Sequence, residues 1–170
     1  DHLRAVRRGQ PEGVPMTKRF AEGTRVPIET TRMELERALR AYGADAVVIG
    51  WDGPTSTIAF RIQGRHVKYV IQRPDRSESV ISSYPSGKPR PAHAIPEAIA
   101  AEHRRRWRAL LLIVKAKLEL VASGDSDFED EFLSRLMLPD GTTVREWMVP
   151  QIDAAYQTGR MPALMPGGRR

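Results

Sequence analysis

Residues 57–71 place a large apolar side chain at every second position, and the period is reset at Gln63-Gly64. Ile58, Phe60 and Ile62 alternate with Thr57, Ala59 and Arg61; Val67, Tyr69 and Ile71 alternate with His66, Lys68 and Val70. A two-residue break between such runs predicts a β-hairpin. If Ile62 faces Arg65, then Phe60 opposes Val67 and Ile58 opposes Tyr69 on one face. Arg61 then opposes His66, and Ala59 opposes Lys68, on the other. A slip of one residue would turn every apolar side chain outward, so the pattern fixes the register. Upstream, Ala46-Val47-Val48-Ile49-Gly50-Trp51 is β-branched and apolar and ends at Asp52-Gly53-Pro54, which predicts a third strand.

A half-apolar sheet needs a cover. Ile99, Trp107, Leu110, Leu111, Val114, Leu118 and Val121 form a helical stripe between Pro96 and Gly124, with Leu112, Ile113, Ala116 and Leu120 on its flanks. Apolar residues nearly all round the second half predict burial from more than one side, hence self-association through the helix around Trp107–Val121. A first helix is expected from Thr31, where Thr31-x-x-Glu34 has capping-box spacing, through Leu35, Ala38, Leu39 and Tyr42 to a stop at Gly43. Ser126-x-x-Glu129 predicts a short helix with Phe128, Phe132, Leu133 and Leu136 inward. Thr143-x-x-Glu146 predicts a last one, kinked or delayed by Pro150.

The expected fold class is therefore α+β: a helix, a three-stranded antiparallel meander, a long helix and two shorter C-terminal helices. Residues 1–29 are expected to form a flexible arm, 30–158 a single domain with a Pro/Ser-rich loop at 73–94, and 159–170 an extended tail. Within that loop Val80-Ile81 is a candidate short strand. Met16-Thr17-Lys18 reads like an initiation point, so residues 1–15 need not be native and are set apart.

The chain lacks cysteine, which excludes disulfides, thiolate metal sites and cysteine nucleophiles. No apolar run is long enough to span a bilayer, so no membrane partner is expected. No phosphate-cradling glycine loop or nucleophile elbow occurs. His93 and Glu97 form an i, i+4 pair without a third ligand, short of a zinc site. No catalytic residue, metal ligand or cofactor is assigned.

The net charge is +6, and the cations cluster twice. Arg61, Arg65, Lys68, Arg73, Arg76, Lys88 and Arg90 face only Asp75 and Glu78 over residues 61–90; Arg104, Arg105, Arg106 and Arg108 surround Trp107. Guanidinium groups match phosphate oxygens, and each neutralised phosphate releases counterions. Arg61, Lys68, Arg73, Lys88, Arg90, Arg104, Arg105, Arg106 and Arg108 are the expected nucleic-acid contacts, provided that they form one outward strip. Arg104 and Arg108, at i, i+4, repel each other and so favour an external anion. The competing reading is a solvated helix face, with Trp107 in the core. The acidic block Asp125, Asp127, Glu129, Asp130 and Glu131 complements a helix N-terminus, could meet arginines of a neighbouring subunit, or could serve a metal-dependent nuclease.

Several stretches resemble an uncharacterised family of small bacteriophage and prophage proteins: Val26-Pro27-Ile28-Glu29, Tyr42-Gly43-Ala44-Asp45, Gly50-Trp51-Asp52, residues 104–117 (RRRWRALLLIVKAK), residues 138–150 (LPDGTTVREWMVP) and residues 161–167 (MPALMPG). The resemblance implies a place in the cytoplasm of a bacterial host and transfers no catalytic residue. The expected topology is also similar to the core of Rad52-like single-strand annealing proteins. That likeness implies ring-like homo-oligomers binding single-stranded DNA along a basic groove. The alternative is a structural or partner-binding phage protein without nucleic-acid activity.

Overall fold

A computed structural model describes residues 19–160. Residues 161–170 of the expected 159–170 tail and the segment 1–18 lie outside the described residues. The fold is α+β, in the expected order. Helix α1 spans Ile28–Ala41, the strands are β1 (Ala46–Asp52), β2 (Thr55–Ile62) and β3 (Arg65–Gln72), and α2 is a single turn at Ser79–Ser82. The long helix α3 covers Ile95–Ser123, followed by α4 (Phe128–Phe132) and α5 (Val144–Thr158). The sheet is an antiparallel meander in the order β1-β2-β3.

The hairpin register is the one that the alternation predicts: Ile62 pairs with Arg65, Phe60 with Val67 and Ile58 with Tyr69. Gln63 (φ 52°) and Gly64 (φ 74°) both lie in the left-handed region, as the tight turn matching strand twist requires. β1 adds to β2 with Val47 opposite Phe60 and Ile49 opposite Ile58. The inner face of the sheet is therefore continuous across all three strands.

Leu35 and Leu39 of α1, Trp107, Leu111, Val114 and Leu118 of α3, and Phe128 and Phe132 of α4 close the core over that face. Phe132 meets Phe60 edge-on at 6.0 Å and stacks on Phe128 at 4.8 Å. The main stripe of α3 is thus occupied by the chain's own sheet and helices, while Ile113 and Leu120 on its flanks remain exposed.

Helix α1 ends as expected. The Gly43 amide donates to Arg40 O and the Ala44 amide to Leu39 O, the paired bonds of a Schellman stop. Three local expectations need correction. α1 starts at Ile28, not Thr31; Thr31 is buried within the helix and its hydroxyl donates to Pro27 O at 3.2 Å. Val80-Ile81 belongs to a helical turn rather than a strand, with Ile81 fully buried. α4 opens at Phe128 after Asp127 with no side-chain cap, so the Ser126 box does not form, and Leu133 is exposed. α5 begins at Val144 and continues through Pro150. Its Thr143–Glu146 capping box is complete in both directions.

Candidate nucleic-acid interface

Helix geometry first decides what the arginine run can reach. Glu102 precedes Arg105 by three residues and Arg106 by four, so all three side chains meet on one face. Arg105 donates Nε–H and Nη2–H to the two Glu102 oxygens, each at 2.9 Å. Arg106 donates to Glu102 Oε1 at 3.3 Å, to Gln72 O at 2.8 Å and to Glu78. Arg19 approaches from the N-terminal side and reaches Glu102 Oε2 at 2.9 Å. Glu102 is only 5% exposed. Burial acts most strongly on this carboxyl and pushes its pKa up; the hydrogen bonds and charges of Arg105 and Arg19 outweigh it and hold the group below its usual range.

The two outer arginines of the run are also paired within the chain. Arg104 Nη2 donates to Glu97 at 2.7 Å, and Arg108 Nη1 donates to Glu34 of α1 at 2.5 Å. The four side chains are between 20% and 25% exposed. This corrects the expectation of an outward arginine strip on the long helix. Glu97 and Glu34 place an opposite charge from within the chain beside Arg104 and Arg108. The cluster fastens α1, the end of β3, the 73–94 loop and residues 19–20 to α3.

The remaining expected contacts divide by element. Arg61 and Lys68 project from the outer face of the sheet, on the rows of His66 and Ala59. Arg61 Nε donates to Asp45 Oδ1 at 2.7 Å, a bond that holds the Asp45 carboxyl below its usual range. Lys68 forms no ion pair within 4.0 Å among the described residues, although its charge helps to lower the Glu146 carboxyl after the bonds from Thr143.

Arg73, Lys88 and Arg90 lie in the 73–94 loop. Its backbone is tied by Tyr84 N to Lys88 O at 2.9 Å, Gly87 N to Tyr84 O at 2.9 Å and Arg90 N to Ser82 O at 2.7 Å. Arg90 donates Nε–H to Ile81 O at 2.9 Å and Nη2–H to Ser83 O at 3.3 Å. Its guanidinium carbon sits 4.3 Å from the Tyr84 ring centroid. Tyr84 is 39% exposed. The side chains of Arg73, Arg76 and Lys88 are exposed and make no hydrogen bond or ion pair among the described residues.

Sequence reasoning overlooked two features. Glu102, the hub of the cluster, was legible in its i, i+3 and i, i+4 spacing to Arg105 and Arg106. Arg32, whose guanidinium lies 4.9 Å from the Trp51 ring and 6.0 Å from Trp107, carried no local signal. The acidic block is partly consumed inside the chain: Glu129 pairs with Arg65 at 3.2 Å, Glu131 with Lys117 at 3.0 Å, and Asp125 accepts from Ser123. Among the described residues no three histidine or carboxylate side chains converge as a metal-binding group. No helix among them is long and apolar enough to cross a membrane.

In comparisons with known proteins, no family model, no curated protein and no solved structure matches the chain.

Proposed function

We propose that this chain is a phage-type nucleic-acid-binding protein. It takes single-stranded DNA on the loop between β3 and α3, and works as a homo-oligomer in the cytoplasm of a bacterial host. The observation that carries the reading is the Tyr84–Arg90 pair: an exposed ring held under a guanidinium at 4.3 Å, on a loop whose Arg73, Arg76 and Lys88 have no internal partner among the described residues. Sequence-tolerant binding of single strands combines backbone-tracking cations with a ring on which a base stacks. The helix arginines serve this surface indirectly, since Arg106 ties Gln72 and Glu78 to α3 and so sets where the loop begins.

Fluorescence anisotropy with a labelled oligonucleotide tests the proposal. Binding that weakens steeply with added salt supports it, and no binding in low salt ends it. A second reading, a structural or partner-binding phage protein, draws on α5, where Trp147, Ile152 and Tyr156 are exposed. Light scattering that gives a defined oligomer, unchanged by nucleic acid, favours that reading.

A further inference from the structure

The sheet has two edges, and they are treated differently. Pro54 and Arg73 extend the β2–β3 register by one step, and the Arg73 amide donates to Pro54 O at 2.7 Å. Hydrogen-bonded pairs alternate along an antiparallel ladder, so this bond sets the phase of the whole sheet. On β3 the outward-pointing residues are His66, Lys68, Val70 and Gln72. The His66 carbonyl is duly taken by the Met137 amide at 2.8 Å. On β1 the outward-pointing residues are Val47, Ile49 and Trp51. Among the described residues nothing pairs with their amides and carbonyls.

Protein sheet edges are normally blunted by lysine, proline, bulges, short strands or a covering segment. The β3 edge has Lys68 and a crossing segment. β1 has neither device: it runs seven residues, Ala-Val-Val-Ile-Gly-Trp-Asp, without a lysine, a proline or a register break. Its Trp51 is 68% exposed and its Val48 is 65% exposed. Beside it runs a groove of about 320 Å³ lined by Val47, Ile49, Met33, Arg32, Glu29 and Glu36.

We propose that β1 pairs with β1 of a second copy of this chain, antiparallel about a two-fold axis through Ile49, making a six-stranded sheet. The register is self-complementary. Ile49 opposes its own copy and Val47 opposes Trp51, so the three free residues of each edge meet as three hydrogen-bonded pairs. Trp51 of the second copy then lies beside Val47, where the groove bounded by Met33 receives its ring. On the opposite face Val48 opposes Gly50, and Asp52 opposes Ala46, so no like charges face each other. A two-fold contact of this kind closes on itself, whereas pairing of β1 with β3 would collide with the segment at Met137. This rests on the homo-oligomer part of the functional reading and not on DNA binding. It moves the contact from the α3 stripe, which is filled internally, to the sheet edge.

Sedimentation equilibrium of the full chain over a concentration series is the first test. A reversible dimer is expected. Trp51→Glu should weaken it by about thirtyfold or more, the loss typical of a buried aromatic anchor, with an unchanged circular dichroism spectrum. Register is tested by mixing a Val48→Cys chain with a Gly50→Cys chain under mild oxidation. The chain has no other cysteine, and a Cβ on Gly50 meets nothing within 4 Å. Opposed residues of a non-hydrogen-bonded pair lie within disulfide range, while residues two steps out of register do not. The mixture should give a linked dimer and neither chain alone should. A chain that stays monomeric, with its own termini or a foreign peptide on this edge, overturns the proposal. So does a dimer that ignores Trp51→Glu and fails to cross-link. DNA binding can fail without touching either result.

Discussion

Glu102 and Arg105 lie three residues apart on α3, and both Glu102 oxygens accept from the Arg105 guanidinium at 2.9 Å. With Arg19 and Arg106 also donating to it, one carboxylate at 5% exposure accepts from three guanidinium groups, two of them in a run that reads, in sequence, as a bare cationic surface. Removing this carboxylate takes acceptors from three partly exposed guanidinium groups that keep access to water and, for Arg105 and Arg106, other partners, at a cost of about 1–3 kcal/mol. Glu102→Ala should destabilise the fold by that order, measured by urea denaturation. The Glu102 carboxyl is held below the ordinary 4.5. Its stabilisation is therefore fully present above the unfolded value and is lost as pH falls through the lower folded value. Glu102→Gln should flatten that acid limb.

A second pH dependence comes from His103. Its Nε2 accepts the Trp107 indole N–H at 3.2 Å, which requires the neutral ring. Burial first, and then the charges of Arg73 and Arg106, push its pKa below 6.5. The unfolded chain therefore takes up this proton more readily. Stability is unaffected above the unfolded value and falls as pH drops from there towards the folded one. His103→Gln should remove the slope just below about pH 6.5 in a series of thermal melts.

The turn of the hairpin offers a gain. Gln63 adopts φ 52° with a long side chain, a conformation that costs most residues about 1–2 kcal/mol and that asparagine tolerates better. Gln63→Asn should raise the denaturation midpoint, whereas Gly64→Val, at φ 74°, should lower it.

Packing of α4 gives the sharpest contrast between apolar residues. Phe132 is fully buried against Phe60 and Phe128, and Phe132→Ala should cost about 3–5 kcal/mol. Tyr156 on α5 is 88% exposed, and Tyr156→Ala should stay within about 0.5 kcal/mol. Equilibrium unfolding of the two variants side by side checks both values.

What the sequence made legible was what local rules control. The hairpin register follows from period-two alternation and a two-residue turn, both contained within residues 57–71. The stops at Gly43 and Gly124 and the Thr143–Glu146 box are equally local. Misreadings arose where a distant group decided the outcome. Thr31 and Glu34 have capping-box spacing, yet Glu34 is drawn to Arg108 and Thr31 sits inside a helix that already starts after Pro27. The arginine run looks outward in sequence because Glu34 and Glu78, which pair with Arg108 and Arg106, converge on it only in the fold, while Glu97 sits two turns before Arg104 on the same helix. The open β1 edge had no signature at all, since an edge is a property of strand order.

The proposed function divides labour between two sets of cations: arginines of α3 hold the molecule together, and cations of the 73–94 loop meet phosphate. The direct measurement is the slope of log affinity against log salt for a single-stranded oligonucleotide. Each phosphate contact on a single strand contributes about 0.7 to that slope. An Arg73→Gln/Lys88→Gln chain should lose about 1.4 of it while melting like the parent chain. Arg108→Gln should lower the melting temperature and leave the slope alone. An unchanged slope in the loop variant, or an equal loss of slope from a well-folded Arg108→Gln chain, would rule out this division.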